Sequence, residues 1–468
     1  MCRPWLKLCS KMLRKLLLYA ALLAGTCVYA KDFNEKKIVA NLAVISDTHV
    51  NGINGVPGYK FRSALIQERD YASRYGKLDG VVVVGDLVDS PAWNASKYTE
   101  INDWKRLYES VFSPVDVPLA YTVGNHDVWK EWTTDTYKEA KQFPQRLGPD
   151  FYTAEIGDPA MAEKFECRHY EIGGYHILSV VPDGRNPVIY PEESIRWLDE
   201  NLKALTDKDP QKYVIVITHA MIYGTIYGSF LDDTYPKGKG YWSTKVLTDV
   251  LSKYPQAVVF GGHLHFPLND PRSVWQGSFT VMGTASTRYM AIDNGGYEEM
   301  AGLTVMKDKD EFSQGLLLQF DNKGNMRAVR MDFYNQTTIG KPWVFKRPSG
   351  DGAHLRKYNH GNLAAANKAP RLSGMKVRPI TGAVVVSWPA GQDDEFVHTY
   401  YLTVKQGDTV VCTKKILSDF YHTPKTSGMK KDWQQVVKLP RGEYTVTLVA
   451  RDSWDAESNT LVSECKLD

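Results

Sequence analysis

The chain has 468 residues, 43% apolar and 12% aromatic, which is enough to bury a sizeable core and excludes a disordered class. Its length suggests two or three domains. The net charge of +3 comes from a leader: residues 1–30 carry Arg3, Lys7, Lys11, Arg14 and Lys15 and no acid, and the remainder sets 52 basic against 54 acidic side chains, a balance from which no nucleic-acid binding is expected.

The elements follow in chain order. After the basic start, Leu16 to Cys27 is apolar, and Val28-Tyr29-Ala30 offers small residues at cleavage-determining positions, as in a secretory signal peptide. The apolar part is short for a bilayer, so the expectation is a secreted or periplasmic protein with no membrane span after signal removal. An uncleaved anchor, or lipid attachment at Cys27 (which Gly25-Thr26 suits poorly), stays as an alternative. Past the leader only Cys167, Cys412 and Cys465 remain, and Cys412 with Cys465 is the plausible intrachain pair. Any metal would therefore be held by nitrogen and oxygen.

From Lys37 an apolar strand runs into Ser46-Asp47-Thr48-His49, and Phe61 to Tyr75 reads as a helix. The strand Val81 to Val84 ends in Gly85-Asp86-Leu87-Val88-Asp89. A helical stretch from Thr99 to Phe112 precedes the strand Val117 to Val123, which stops at Gly124-Asn125-His126-Asp127. His169 to Val181 reads as a hairpin turning at Gly173-Gly174, and Pro191 opens a helix to Leu205. Tyr213 to Ile217 ends in Thr218-His219. A Gly- and Tyr-rich loop and a predicted helix from Ser243 to Lys253 follow. The strand Ala257 to Phe260 then runs into Gly262-His263-Leu264-His265, and strands at Ser278–Gly283, Gly315–Phe320 and Met326–Tyr334 close the unit. Such alternation predicts an α/β core with both sheet faces covered. Residues 341–370 read as a linker or strap. Residues 371–468 then change to short alternating strands, a predicted all-β sandwich. The predicted domains are a signal peptide (1–30), an α/β unit (31–340), the linker and the sandwich. Trp388 and Tyr444 resemble the core Trp and corner Tyr of fibronectin type III modules.

Five polar clusters thus follow five apolar strands, and they hold five of the eleven histidines. Taken singly each has a bland explanation: Asp47 and Asp86 as loop caps, His219 as a satisfied core histidine, Asn125 and His126 as a turn. Taken together, the bland readings need several coincidences in one order. Two divalent cations about 3.5–4 Å apart would need such a set: one carboxylate able to bridge, several imidazoles and no thiolate.

In order, spacing and flanking glycines, residues 41–265 resemble the calcineurin-like metallophosphoesterases, with their Asp-x-His, Gly-Asp-x-x-Asp, Gly-Asn-His-Asp/Glu, His and Gly-His-x-His series. The resemblance implies a four-layer metallophosphoesterase fold, two mixed β-sheets flanked by helices. It implies one divalent metal ion on Asp47, His49, Asp86 and His265, and a second on Asp86, Asn125, His219 and His263, with manganese, iron and zinc all suited to the donors. It makes His126 the candidate that protonates the leaving oxygen or steadies the transition-state charge, and Asp89 the carboxylate that orients it. The implied activity is hydrolysis of a phosphomonoester or phosphodiester, a small phosphorylated substrate, by a metal-bridging hydroxide. The rival is a catalytically silent phosphoesterase fold serving as a surface binding protein.

Departures narrow the class. Asp89 stands where purple acid phosphatases carry a Tyr. Ser90-Pro91 and Asp127 stand where protein Ser/Thr phosphatases carry Arg-Gly and Glu, and no nucleotidase domain of the periplasmic 5′-nucleotidases is present. On the substrate side Trp129, Trp132, Tyr223, Tyr227, Tyr241 and Trp242 are candidates for the pocket rim. Arg288 is a candidate phosphate contact, with a surface ion pair as its alternative.

Overall fold

The structure, a computed structural model, describes residues 33–89, 97–114, 116–128, 167–182, 188–234, 240–293, 303–305, 308–422 and 429–468. The leader with Cys27, and Trp129 and Trp132, lie outside the described residues. Among the described residues no helix is long and apolar enough to cross a membrane.

The strands of the first part are β1 (Ile38–Ile45), β2 (Gly80–Val84), β3 (Leu119–Thr122), β4 (Arg168–Ile172), β5 (Tyr175–Ser179), β6 (Val214–Ile217), β7 (Met221–Ile222), β8 (Ser243–Thr244) and β9 (Ala257–Gly261). They continue with β10 (Val274–Gln276), β11 (Thr280–Gly283), β12 (Ala291–Asp293), β13 (Leu303–Val305), β14 (Gln314–Asp321), β15 (Met326–Asp332), β16 (Thr337–Thr338) and β17 (Trp343–Phe345). One sheet has the order β16-β15-β14-β1-β2-β3, with β17 also on β15, and the other β10-β11-β9-β6-β5-β4. Both are mixed: β1, β2 and β3 are parallel and β14 is antiparallel to β1, while β5, β6, β9 and β11 are parallel and β4 and β10 antiparallel.

Side-chain alternation explains the layering. On β1, Leu42 and Val44 join Val82, Val84, Ile215, Ile217, Val258 and Phe260 in a core between the sheets. Their neighbours Ala43 and Ile45 face the other way, onto Phe61, Leu65, Trp104 and Leu107 of the helices Val56–Ala72 and Lys97–Phe112. The outer face of the second sheet is covered by Leu198 and Leu202 of the helix Glu192–Lys208. The result is helix, sheet, sheet, helix, as the resemblance implied.

Local differences have local causes. The helix expected from Phe61 starts at Val56, because Gly55 is extended and Pro57 sits in the first turn, where its missing N–H costs nothing. The predicted helix from Ser243 is instead β8, followed by the single turn Thr248–Leu251. There the Asp232 carboxylate accepts from Ser243 N and Oγ at 3.0 and 3.1 Å, and β7 pairs alongside, which holds the backbone extended. The predicted linker carries β17 on β15 and a short helix, His360–Ala366.

The C-terminal part has seven strands in two sheets: β18 (Lys376–Ile380), β19 (Ala383–Pro389) and β22 (Asp432–Lys438) against β20 (Thr399–Gln406), β21 (Thr409–Leu417), β23 (Gly442–Arg451) and β24 (Leu461–Leu467). Trp388 is buried between them, and Tyr444 Oη donates to Pro440 O at 2.9 Å, closing the corner. The expected bridge between Cys412 and Cys465 is not formed: both thiols are free. They lie on β21 and β24, the opposite edges of the sheet β21-β20-β23-β24. Three strand spacings put them roughly 14 Å apart, about twice what a disulfide spans.

Candidate metal centre

The loops that follow β1, β2 and β3 in one sheet and β6 and β9 in the other converge at the carboxyl ends of the strands. Main-chain bonds extend the register past the strands: Asp47 N to Gly85 O, His49 N to Asp86 O and Gly262 N to His219 O, each at 3.0 Å. The glycines give the clearance. A Cβ on Gly124 would lie 2.2 Å from Asp86 Oδ1, and one on Gly262 would lie 2.4 Å from Asp47 Oδ2. Gly124→Ala is therefore expected to destabilise the fold by about 1–3 kcal/mol and to weaken metal binding. Urea unfolding and metal analysis of the purified variant check both.

The ligand-bearing backbone is strained. Asp47, His49, Asp86, His263 and His265 have φ of 50°, 43°, 49°, 68° and 58°, five of the eight non-glycine residues at positive φ among those described. Each costs on the order of 1 kcal/mol or more, and such residues gather where function fixes geometry.

Asp47, His49, Asp86, Asn125, His219, His263 and His265 are all buried. Asp47, His49, Asp86 and His265 each offer one ligand atom within 4.8 Å of the others, and Asp86, His219 and His263 form a second such group. Asp86 belongs to both. Its Oδ2 lies 3.3 Å from His219 Nε2 and 3.8 Å from His49 Nε2. His265 Nε2 is 2.9 Å from Asp47 Oδ1, and His219 Nε2 is 3.0 Å from Asn125 Oδ1. Main-chain carbonyls orient the rings: Val84 O at His219 Nδ1, Tyr289 O at His265 Nδ1 and Tyr241 O at His263 Nε2, at 2.9, 3.2 and 3.0 Å. Because a carbonyl only accepts, it fixes the proton on the facing nitrogen and leaves the other for a ligand. All seven residues proposed as metal ligands from the sequence are thus brought into one cage.

The set fits divalent cations. His49 Nε2 and His265 Nε2 face each other at 3.3 Å, two like nitrogens that need a shared proton or a cation between them. Charges in the metal-free cage are balanced by protons. Burial lowers the His219 pKa, but the Asp86 and Asp47 carboxylates outweigh it and raise it to about 10. Burial brings His49 down to about 4, and burial with the His219 charge brings His263 to about 3. Asp86 is depressed well below the usual carboxylate range: burial opposes ionisation, and the neighbouring histidines, His219 first, override it. At pH 7 His219 is then protonated, whereas His49 and His263 are neutral. Metal loading must expel that proton, so affinity should fall about tenfold per pH unit below 10 through this group. The expected release is at least about one proton per protein at pH 7, measurable by calorimetry in two buffers of different ionisation heat and smaller by about one in His219→Asn.

His126 lies at the edge of the cage, its ring edge-on to His49 at 4.5 Å. Its N–H donates to Asp86 Oδ1 at 2.7 Å, and its Nδ1 faces the main-chain carbonyl of Asp89 at 2.8 Å. The expected role of Asp89 is therefore redistributed. Its carbonyl orients His126, while its carboxylate pairs with Arg288 and lies 3.5 Å from His49 Nδ1. Burial raises the Asp89 pKa, and His49 and Arg288 more than offset this, taking it to about 2. Arg288 thus takes the ion pair that was its alternative. Asp127 buttresses the loop, accepting from Gly124 N at 2.8 Å and Val88 N at 3.1 Å.

Tyr241 and Trp242 pack on His263 at 5.0 and 5.2 Å between ring centroids. Tyr227 is buried against the sandwich and Tyr223 bonds to Asp233, so neither is placed at the cage. Sequence reasoning missed Ser46 and Ser286. Ser46 Oγ donates to Asp47 Oδ2, and Ser286 Oγ donates to Asp47 O at 3.0 Å. Only the position of Ser286 after a strand end, in Gly283-Thr284-Ala285-Ser286, hinted at it.

Residues 40–267 match the family described as calcineurin-like phosphoesterase. No curated protein matches the chain. Among solved structures, a purple acid phosphatase from yellow lupin (Lupinus luteus) seeds is similar at 12% identity over 70% of this chain, with a TM-score of 0.45. This chain spans only 57% of that enzyme. A 5′-nucleotidase precursor from Thermus thermophilus is similar at 13% identity over 79% of this chain and 76% of its own, with a TM-score of 0.30. Fibronectin(III)-like modules of Clostridium thermocellum CbhA are similar at 10% identity over 36% of this chain and 67% of theirs, with a TM-score of 0.15.

Proposed function

Residues 40–267 belong to the calcineurin-like phosphoesterase family, and on that premise we propose that the protein hydrolyses a small phosphomonoester or phosphodiester at a centre for two divalent cations. The observation that carries this reading is the sharing of Asp86 between two overlapping ligand groups. Manganese, iron or zinc held there would supply Lewis acidity at phosphorus and activate the nucleophile. Asp47, His49, Asp86 and His265 would hold one ion, and Asp86, Asn125, His219 and His263 the other.

The chain's own part of the chemistry falls to His126. With Nδ1 held at the Asp89 carbonyl, that nitrogen keeps its proton and Nε2 is the one that exchanges. A protonated Nε2 can give its proton to the departing alkoxide, and can stabilise charge on the phosphoryl oxygens before it does so. Tyr241, packed on His263 and only half-buried, offers aromatic surface to the organic part of the substrate, with the buried Trp242 behind it.

The test is turnover of p-nitrophenyl phosphate and of its bis ester by the full chain, before chelation, after it, and after manganese is returned. Activity lost and regained with the metal supports the proposal. No turnover of either ester at full metal occupancy would leave the silent binding protein. Export to a secreted or periplasmic location is part of the same reading, on the basic-then-apolar leader, and N-terminal sequencing of the exported protein should begin after Ala30.

A further inference from the structure

We infer that His398, in the C-terminal sandwich, is a positioning residue for the half-site of His219 and His263, acting through Tyr227. The inference rests on the two-cation reading of the cage. It makes the sandwich a working part of the metal centre.

His398 is fixed within its own module. Its N–H donates to Arg451 O at 2.8 Å, its carbonyl accepts from Ser418 N at 2.9 Å, and its Nδ1 lies 2.8 Å from Thr399 Oγ1. Its ring stacks on Phe420 at 4.6 Å. From this support Nε2 reaches out of the module to Tyr227 Oη at 2.7 Å, with both residues buried. A buried hydrogen bond in a dry interface is worth most when both partners are held, because neither can be satisfied by water if the other is lost.

Tyr227 begins the segment that returns to the cage. Its ring meets Phe266 edge-on at 4.6 Å, and the Arg272 guanidinium lies over it at 4.1 Å. The neighbouring Gly228 sits flush on Phe266: a Cβ there would come within 2.7 Å of the ring. Asp232 follows, and its carboxylate accepts from Tyr241 N at 2.8 Å, Trp242 N at 3.2 Å and Ser243 N at 3.0 Å. This places Tyr241 O 3.0 Å from His263 Nε2, with both aromatic rings against the same imidazole. Thus the carbonyl that selects the His263 tautomer hangs on a segment whose outer end is held by the sandwich. The modules also share apolar packing, since Leu417, Phe420 and Tyr421 lie in the core that covers the second sheet.

The test is calorimetric titration of manganese into the metal-free full-length protein, which reports on the site independently of turnover. Tyr227→Phe removes one oxygen and keeps the ring, and His398→Ala removes the other partner. Each is expected to weaken one of the two manganese sites by up to about tenfold, the low end of what loss of a direct orienting contact to a ligand costs. The other site should be unchanged, and the double variant should be no worse than the singles. Tyr444→Phe, which loosens the sandwich corner far from Tyr227, should lower the melting temperature and leave both constants alone. If the first two variants lower only the melting temperature, or if Tyr444→Phe shifts the constants equally, the inference is overturned. If the wild-type protein binds no manganese, the two-cation reading fails first, and p-nitrophenyl phosphate turnover judges that reading separately.

Discussion

Asp86→Asn is expected to yield a folded protein that has lost metal and at least about a thousandfold in kcat/KM, the equivalent of roughly 4 kcal/mol of transition-state stabilisation. The size follows from position. Asp86 is the one residue common to both ligand groups, so a change there touches two ions, whereas a change at His265 or His263 touches one. Asparagine keeps the shape and can still accept from His126 N, which Asp86 Oδ1 does at 2.7 Å. It cannot supply the buried negative charge that holds the imidazoles of His219 and His49 around it. Elemental analysis and circular dichroism on the same sample separate metal loss from unfolding. A variant with unchanged metal content would refute Asp86 as the shared ligand.

His126→Ala should give the complementary pattern: metal content as in the wild type, with kcat reduced about 10²–10⁴-fold. His126 stands beside the cage, and its Nδ1 is held by a carbonyl, so removing the ring leaves the ligands in place. The deficit should depend on the leaving group. p-Nitrophenolate departs without help, and its ester should suffer least, while an alkyl phosphate, which needs the proton, should suffer most. A uniform deficit across leaving groups would assign His126 to charge stabilisation instead of proton donation. Asp89→Asn should leave the hold on His126 intact, because that contact is made by the main chain.

Much of the centre was legible in the sequence because its physics is local. An apolar run that halts at glycine and then at Asp, Asn or His marks a strand end, and parallel strands bring their ends together. The close approaches at Gly124 and Gly262 show why those glycines flank the ligands. Contacts made by the main chain were not legible. No sequence pattern announces that the Asp89 carbonyl, and not its carboxylate, meets His126, or that the Tyr241 carbonyl meets His263. Side chains that answer to distant partners were misread for the same reason. Tyr227 looked like a rim aromatic and is tied to His398, while Ser243 looked helical until Asp232 is seen drawing its backbone straight. In the sandwich, pairing of the two cysteines by nearness in sequence failed because only strand order says they occupy opposite edges.

The left-handed backbone at five of the cage residues ties their conformation to their side chains. Glycine would sit at His49 or His263 without steric penalty, but each ring is buried, and the cavity left behind costs more than the strain it relieves, so those replacements should disable the centre without making the chain harder to unfold. The packing of the imidazoles is thus what holds the backbone in its left-handed turn, and the strain persists only as long as the rings it positions are in place.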